Sequence, residues 1–309
     1  MTVADTRLAL DGKDQIDAAE ELPAPPLRRD GKIVNAMSVD VEDYYQVQAF
    51  AGLVERTDWD KWQSRVEANT ERTLAMFADM RAKATFYTLG WVAERHGPLI
   101  RRIVDEGHEL ASHGYSHVRV HEQTPEAFRQ DIRKTKRILE DAGGVAVKGY
   151  RAATFSIGQQ SQWAFPILAE EGYLYSSSVN PIHHDLYGMP GAPRFAYHPS
   201  GLKNFKEFPI TTMRLFGSNI PCGGGGYFRL LPYALSRWSR RYVNRRDGQP
   251  CIFYFHPWEI DPGQPRVPGI SAKTRFRHYT NLDRMESRMR RLLTDFAWDR
   301  IDKVFMGRA

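Results

Sequence analysis

Cysteine is scarce in this chain: its 309 residues include two, Cys222 and Cys251. That excludes a disulfide-built scaffold and a zinc site made of thiolates. No run of about 18 or more apolar residues occurs, so no membrane-spanning helix is expected. The N-terminal stretch is polar and ends in Leu22-Pro23-Ala24-Pro25-Pro26. It has no basic start followed by an apolar segment, so we expect a disordered tail over residues 1–31 and a cytoplasmic chain. There is no dense basic stripe and no nucleic-acid-binding motif, which argues against DNA or RNA as a partner. The glycine run 223–226 lacks the Lys-Ser/Thr of a phosphate loop. It reads instead as a tight turn or a mobile rim.

What is present suffices for a globular core, with 42% hydrophobic and 26% charged residues. Forty-three Lys+Arg against thirty-seven Asp+Glu leave a net charge of +6. A diffuse excess of that size suits an acidic polymer or a membrane surface as a neighbour. From Lys32 onward, short apolar runs alternate with helical periodicity. Strands are expected at 33–39, 84–89, 108–112, 148–151 and 173–178, and helices at 64–80, 91–106, 124–142 and 159–171. Thr124 caps the third helix, with Pro125 at its first position and Gly143-Gly144 after its end. Residues 180–205 read as loop. Later strands are expected at 207–212 and 251–256, with a helix near 230–244 between them. Residues 261–280 read as a basic loop before a helix at 281–297. Strand–helix alternation of this kind predicts a parallel α/β architecture.

The residues with chemical potential cluster at strand ends. Asp40, Glu42 and Asp43 follow the first strand, His113 and His117 the third, Arg151 the fourth, and His256 ends Ile252-Phe253-Tyr254-Phe255. In a parallel barrel these ends share one mouth. Two histidines four apart share a face if the segment turns helically, and with one carboxylate they form a two-His, one-carboxylate metal site. Alone, the spacing equally fits two surface histidines. Three carboxylates in four residues repel one another unless a cation lies between them, so one can bind metal while another acts as a base on metal-bound water. Arg151 is suited to orienting a base carboxylate, and His256 to acting as a general acid. Tyr44, Tyr45 and Trp258 flank these motifs as candidate sugar-stacking rings. Arg266, Lys273, Arg275 and Arg277 form a candidate basic rim. His183-His184-Asp185 reads as a loop over the site.

Six segments in order, Ser38–Tyr45, Ala84–Tyr87, Ser112–His117, Gly149–Arg151, Tyr175–Ser178 and Phe255–Glu259, resemble the NodB-type polysaccharide deacetylases (carbohydrate esterase family 4). The likeness covers about residues 32–260. It is nearest the branch associated with exosortase and exopolysaccharide gene clusters, which carries an extension like residues 261–309. The resemblance implies a distorted (β/α)₇ barrel at 32–260 with the extension packed on it. It also implies metal-dependent removal of N-acetyl groups from an N-acetylhexosamine polymer. By this likeness Asp40 is the general base, His113 and His117 are metal ligands, His256 is the general acid, and Arg151 positions the base. Relatives with an Asp-x-Asp pattern favour Glu42 as third ligand, with Asp43 as its competitor. The implied metal is Zn²⁺, with Co²⁺, Mn²⁺, Ni²⁺ or Fe²⁺ as alternatives. A backbone N–H at or near Tyr150 is implied as an oxyanion donor. Ser176 stands where the family often has Asp, which removes one expected support of Arg151. An exopolysaccharide or its lipid-linked precursor is the implied substrate, with contact to the inner membrane face or a biosynthetic complex. Peptidoglycan or chitooligosaccharides, another amide, or an idle glycan-binding barrel are the alternatives.

Overall fold

The computed structural model describes residues 20–22, 25–184 and 187–307. Seven parallel strands form its centre: β1 (Lys32–Val41), β2 (Thr85–Thr88), β3 (Glu109–Ser112), β4 (Gly149–Tyr150), β5 (Tyr175–Ser176), β6 (Lys206–Glu207) and β7 (Ile252–Phe255). They lie in the order β6-β5-β4-β3-β2-β1-β7. All of β1 after Lys32 is buried, as a strand covered on both faces must be. Strands β4 to β6 are two residues each, which distorts that side of the curl. No ladder joins β6 to β7. The chain between them fills the gap, with Ile210 N donating to Val179 O (2.9 Å) and Tyr254 N to Gly223 O (2.8 Å). An antiparallel hairpin, Thr212–Leu215 with Ser218–Pro221, projects from that side.

The helices follow the expected alternation, with informative breaks. Thr124 Oγ1 accepts from Ala127 N at the start of helix Pro125–Gly143, and Gly144 ends it with a positive φ of 65°. The helix expected at 91–106 is two pieces, Gly90–Arg95 and Gly97–Asp105. Pro98 removes a helical donor and disfavours helical geometry in the residue before it. Similarly, Pro232 separates Gly225–Leu230 from Tyr233–Tyr242. The expected basic loop contains a helix, Ala272–Tyr279, capped by Ser271 Oγ accepting from Thr274 N. A second helix follows at Leu282–Asp295.

Segments near both limits of the described residues join the sheet, and residues 1–19 of the expected tail lie outside them. Arg28–Arg29 pairs antiparallel with Lys32–Ile33, and Glu20–Glu21 pairs with Tyr197–His198, so ordered chain begins before Lys32. Ala297–Asp299 runs parallel to β1 at Val34–Ala36, continuing the ladder that β7 makes over Ala36–Val39. The C-terminal segment is therefore part of the sheet as well as packed beside it.

Candidate active site

Asp40, Glu42 and Asp43 leave β1 equally buried, at 2%, 1% and 0% exposed, and meet different partners. Asp43 Oδ2 accepts from Arg65 N (2.7 Å), Val66 N (3.0 Å) and Ser64 Oγ (2.8 Å), and its Oδ1 accepts from Tyr44 N (2.9 Å). It satisfies open donors at the start of helix Val66–Asp79. Burial pushes its carboxyl up, and these hydrogen bonds oppose that. The structure thus resolves the pair of candidate ligands: Asp43 is a helix-capping residue, and Glu42 faces the histidines.

Glu42, His113 and His117 each offer one ligand atom, all within 4.8 Å of one another. His117 Nε2 lies 3.1 Å from Glu42 Oε2, yet that buried oxygen has no partner with hydrogen-bond geometry. His113 Nδ1 lies 2.8 Å from the Arg151 carbonyl. That contact assigns its proton to Nδ1 and leaves the Nε2 lone pair for a cation. Burial holds His113 below, and His117 well below, the usual imidazole range, so both are neutral donors. Burial pushes the Glu42 carboxyl up to about 7. Two neutral imidazoles and a buried carboxylate turned to one point make a two-His, one-carboxylate donor set of the kind that holds a divalent cation. The donor set therefore fits the implied metal.

The segment His113–His117 is not a helical turn. Gly114 has φ 74° and His117 φ 55°, and this sharp bend directs both rings to one point. The loop is held by Asp131, which accepts from Tyr115 N (3.2 Å), and by Arg56, which donates to Ser116 O (2.7 Å) and His117 O (3.1 Å).

Arg151, fully buried, donates to Asp40 Oδ1 at 2.6 Å. It also donates to Ser38 Oγ (2.9 Å), Ser177 O (3.1 Å) and Ser177 Oγ (3.0 Å), and lies 4.0 Å over the Tyr87 ring. Ser176, where the resemblance leads one to look for support, instead hydrogen-bonds Glu207. Ser38 and Ser177 hold the guanidinium in its place.

On the other side, His256 Nε2 lies 3.4 Å from Glu42 Oε1, and its Nδ1 lies 2.9 Å from Glu259 Oε1. Glu259 Oε2 is in turn paired with Arg229 Nε at 2.6 Å, both residues being buried. Burial would lower His256, but the Glu259 hydrogen bond and the Glu42 charge raise it to about 9. Burial would raise Glu259, but Arg229 and His256 bring it to about 2. Arg229 also donates to the carbonyls of Thr280 (2.6 Å) and Arg277 (3.2 Å), tying the acid side to the C-terminal segment.

The glycine run is part of this support and not a mobile rim. A Cβ on Gly225 would sit 2.4 Å from Glu259 Oε1, and one on Gly223 would sit 2.8 Å from the Ile252 carbonyl. Gly223 and Gly224 pack against β7, and Gly225 against Glu259, so closely that no side chain fits.

These groups open into a cavity of about 360 Å³, lined by Asp40, Glu42, His113, His117, His256 and Trp258 among others. The aromatic expectations divide. Trp258 lines the cavity, stacked between His256 (centroids 5.1 Å apart) and His278 (4.2 Å). Tyr44 and Tyr45 are buried, Tyr45 stacking on Trp62, so neither offers a sugar platform. The Tyr150 ring packs against Phe128 and Tyr173 in the helix-facing core. Adjacent strand residues face opposite sides, so Arg151 pointing inward turns Tyr150 outward. Of the loop 183–185, His184 stacks on Tyr187 (4.0 Å), and Asp185 lies outside the described residues.

Residues 58–170 match the family described as polysaccharide deacetylase. Over that stretch the chain is similar to polysaccharide deacetylases. Residues 177–306 match a domain of unknown function, DUF3473. The chain is 34% identical over 96 residues to a peptidoglycan-N-acetylglucosamine deacetylase of Bacillus cereus, a stretch covering 31% of this chain and 35% of that protein. It is 33% identical over 115 residues to a chitooligosaccharide deacetylase of Rhizobium leguminosarum bv. trifolii, covering 37% and 49%. The chain thus spans between a third and a half of the length of these curated relatives. A solved structure of a candidate polysaccharide deacetylase from Mycobacterium smegmatis shares the fold, with a TM-score of 0.57 at 20% identity over 90% of this chain and 91% of that one. The deacetylase match holds His113, His117 and Arg151. Asp40 and Glu42 precede it, and His256, Glu259 and Arg229 lie in the DUF3473 match.

Two members of the site escaped sequence reading. Glu259 had a faint signal, three residues past His256. Arg229 had none, because its 30-residue distance from Glu259 is bridged only by folding.

Proposed function

We propose that this chain is a metal-dependent N-deacetylase of an N-acetylhexosamine polymer. The observation that carries the reading is one cavity in which Glu42, His113 and His117 converge between the Arg151-held Asp40 and the Glu259-held His256. Glu42, His113 and His117 would hold a divalent cation, which would supply Lewis-acid chemistry in the cavity. Asp40, fixed by Arg151, takes the proton of the attacking water. His256 enters the reaction protonated and gives its Nε2 proton to the departing amine. Acetate and a free amino sugar result. Zn²⁺ is the metal we assign.

The substrate we assign is an exopolysaccharide or its lipid-linked precursor at the inner membrane face. The apolar stripe Leu231, Leu235 and Trp238, exposed on one side of the fold, supports a peripheral contact there. Among the described residues, no helix is long and apolar enough to cross a membrane. Acetate release from N-acetylglucosamine oligomers, with chelator, with Zn²⁺ restored, and in His113→Ala, tests the activity. Chelator-sensitive release that is lost in the variant supports it; release unaffected by chelator and by the substitution overturns it. Recovery of the native protein outside the inner membrane in fractionated cells would overturn the assigned location.

A further inference from the structure

The outer wall of the cavity comes from the C-terminal segment. Thr274 and Arg277 of helix Ala272–Tyr279 line it beside His278. Arg277 is exposed, and among the described residues no carboxylate pairs with its guanidinium. That sets it apart from Arg65, Arg95, Arg102, Arg129, Arg133 and Arg290, each of which holds an acidic partner. The cavity's acidic groups do not neutralise it either: Asp40 is held by Arg151, and Glu42 belongs to the metal ligands. The position of Arg277 is also fixed. Arg229 donates to the Arg277 carbonyl (3.2 Å) while its Nε holds Glu259 (2.6 Å), and Glu259 holds His256. One buried cation therefore sets both the acid and the rim residue. Tyr187 also lines the mouth, near enough to feel the Arg277 charge, and its ring is stacked on His184.

A guanidinium with no carboxylate partner among the described residues, above a sugar-sized cavity and near an aromatic ring, is the equipment for a sugar carrying a negative charge. We propose that Arg277 forms an anion subsite at the cavity mouth that selects a polymer with a sugar carboxylate next to the N-acetylated residue. This inference rests on the deacetylase reading and specifies its substrate class.

The test is binding to the Zn²⁺-loaded full chain, measured by calorimetry. The probes are a hyaluronan hexasaccharide, which alternates uronate and N-acetylglucosamine, and the same oligosaccharide with its carboxyls reduced to alcohols. Wild type should bind the acidic form about tenfold more tightly, the scale of one charge-assisted hydrogen bond at a partly hydrated site. Arg277→Ala should remove that preference without weakening the reduced form, and Arg277→Lys should restore part of it. Arg275→Ala, on the same helix but off the cavity, should leave it intact. Equal affinities in wild type, or a preference that survives Arg277→Ala, would overturn the subsite. Arg277-dependent binding of UDP-N-acetylglucosamine without any acidic-hyaluronan preference would overturn the carboxylate and assign a phosphate. Acetate release from a neutral chitooligosaccharide, measured in parallel, reports on the deacetylase reading alone, so the two can fail separately.

Discussion

Two buried ion pairs flank the cavity, and they hold their reacting groups differently. In Asp40–Arg151 the reacting group is the acid itself, gripped directly by the cation at 2.6 Å. In Glu259–Arg229 the reacting group is one step removed: Arg229 holds Glu259, and Glu259 holds His256. The base side thus keeps an anion oriented as an acceptor, and the acid side keeps an imidazole protonated as a donor. Their origins differ too. The base side is assembled across the curl from the ends of β1 and β4, with β2 and β3 between them in the sheet, and from Ser177 just past β5. The acid side draws on the end of β7, the glycine-packed crossing at 225–230 and the C-terminal helix.

The largest expected effects lie between the two pairs. Glu42→Gln and His117→Ala should each abolish acetate release and lower bound metal, read by elemental analysis of the dialysed protein. Asp43→Asn, one residue along, should keep metal and activity and lower stability by about 1 kcal/mol, the scale of a weakened helix cap. Metal loss in Asp43→Asn would break the distinction between the neighbours. Next is the base: Asp40→Asn should lower kcat by roughly 10²–10⁴, the usual worth of a positioned base, with metal retained.

On the acid side a smaller loss is expected, because Glu259 acts through His256. Glu259→Gln should lower kcat about 10- to 100-fold and should also destabilise the fold. It leaves Arg229 buried and uncompensated, a change that typically costs about 3–5 kcal/mol. Glu259→Gln with Arg229→Met removes both charges. Stability measured by urea unfolding should largely return while activity does not. If activity returned with stability, Glu259 would be a purely structural partner and the proposed relay would fall.

The base side was the more legible in the sequence, for a physical reason. Asp40, His113, His117 and Arg151 each follow a short apolar run, and parallel strands bring their C-terminal ends together whatever lies between. His256 follows the same logic at β7. Support that comes from elsewhere leaves no such mark. Arg229 sits in a helix whose sequence says nothing of Glu259, and Ser177 replaces the aspartate-type support sought at Ser176. Nor does spacing reveal which way a ring next to a motif faces, so Tyr44 and Tyr45 read as platforms and are core. The glycine run misled because flexibility is what glycine permits in an unfolded chain. Here its use is the absent Cβ, which admits Glu259 and the β7 backbone.

The last test separates the two pairs by pH in the metal-free protein. His256 is raised from its ordinary value to about 9, so the folded state binds its proton more tightly than the unfolded chain does. That contribution is complete below the unfolded value near 6.5 and is lost as pH rises through about 9. Glu42, raised to about 7, gives the same sign over a lower window, from about 4.5 to 7. Wild-type apoprotein should therefore lose on the order of 2 kcal/mol between roughly pH 6.5 and 9. Removing the carboxylate that hydrogen-bonds the imidazolium, in Glu259→Gln, should flatten that upper window and leave the lower one. Asp40→Asn should leave the upper window largely in place, because the Asp40 charge contributes less to His256 than Glu259 and Glu42 do. Chemical unfolding of the chelated proteins across this range reads both windows. A slope in Glu259→Gln equal to that of wild type would mean that another group holds the proton on His256, and the asymmetry between the two sides of the cavity would be lost.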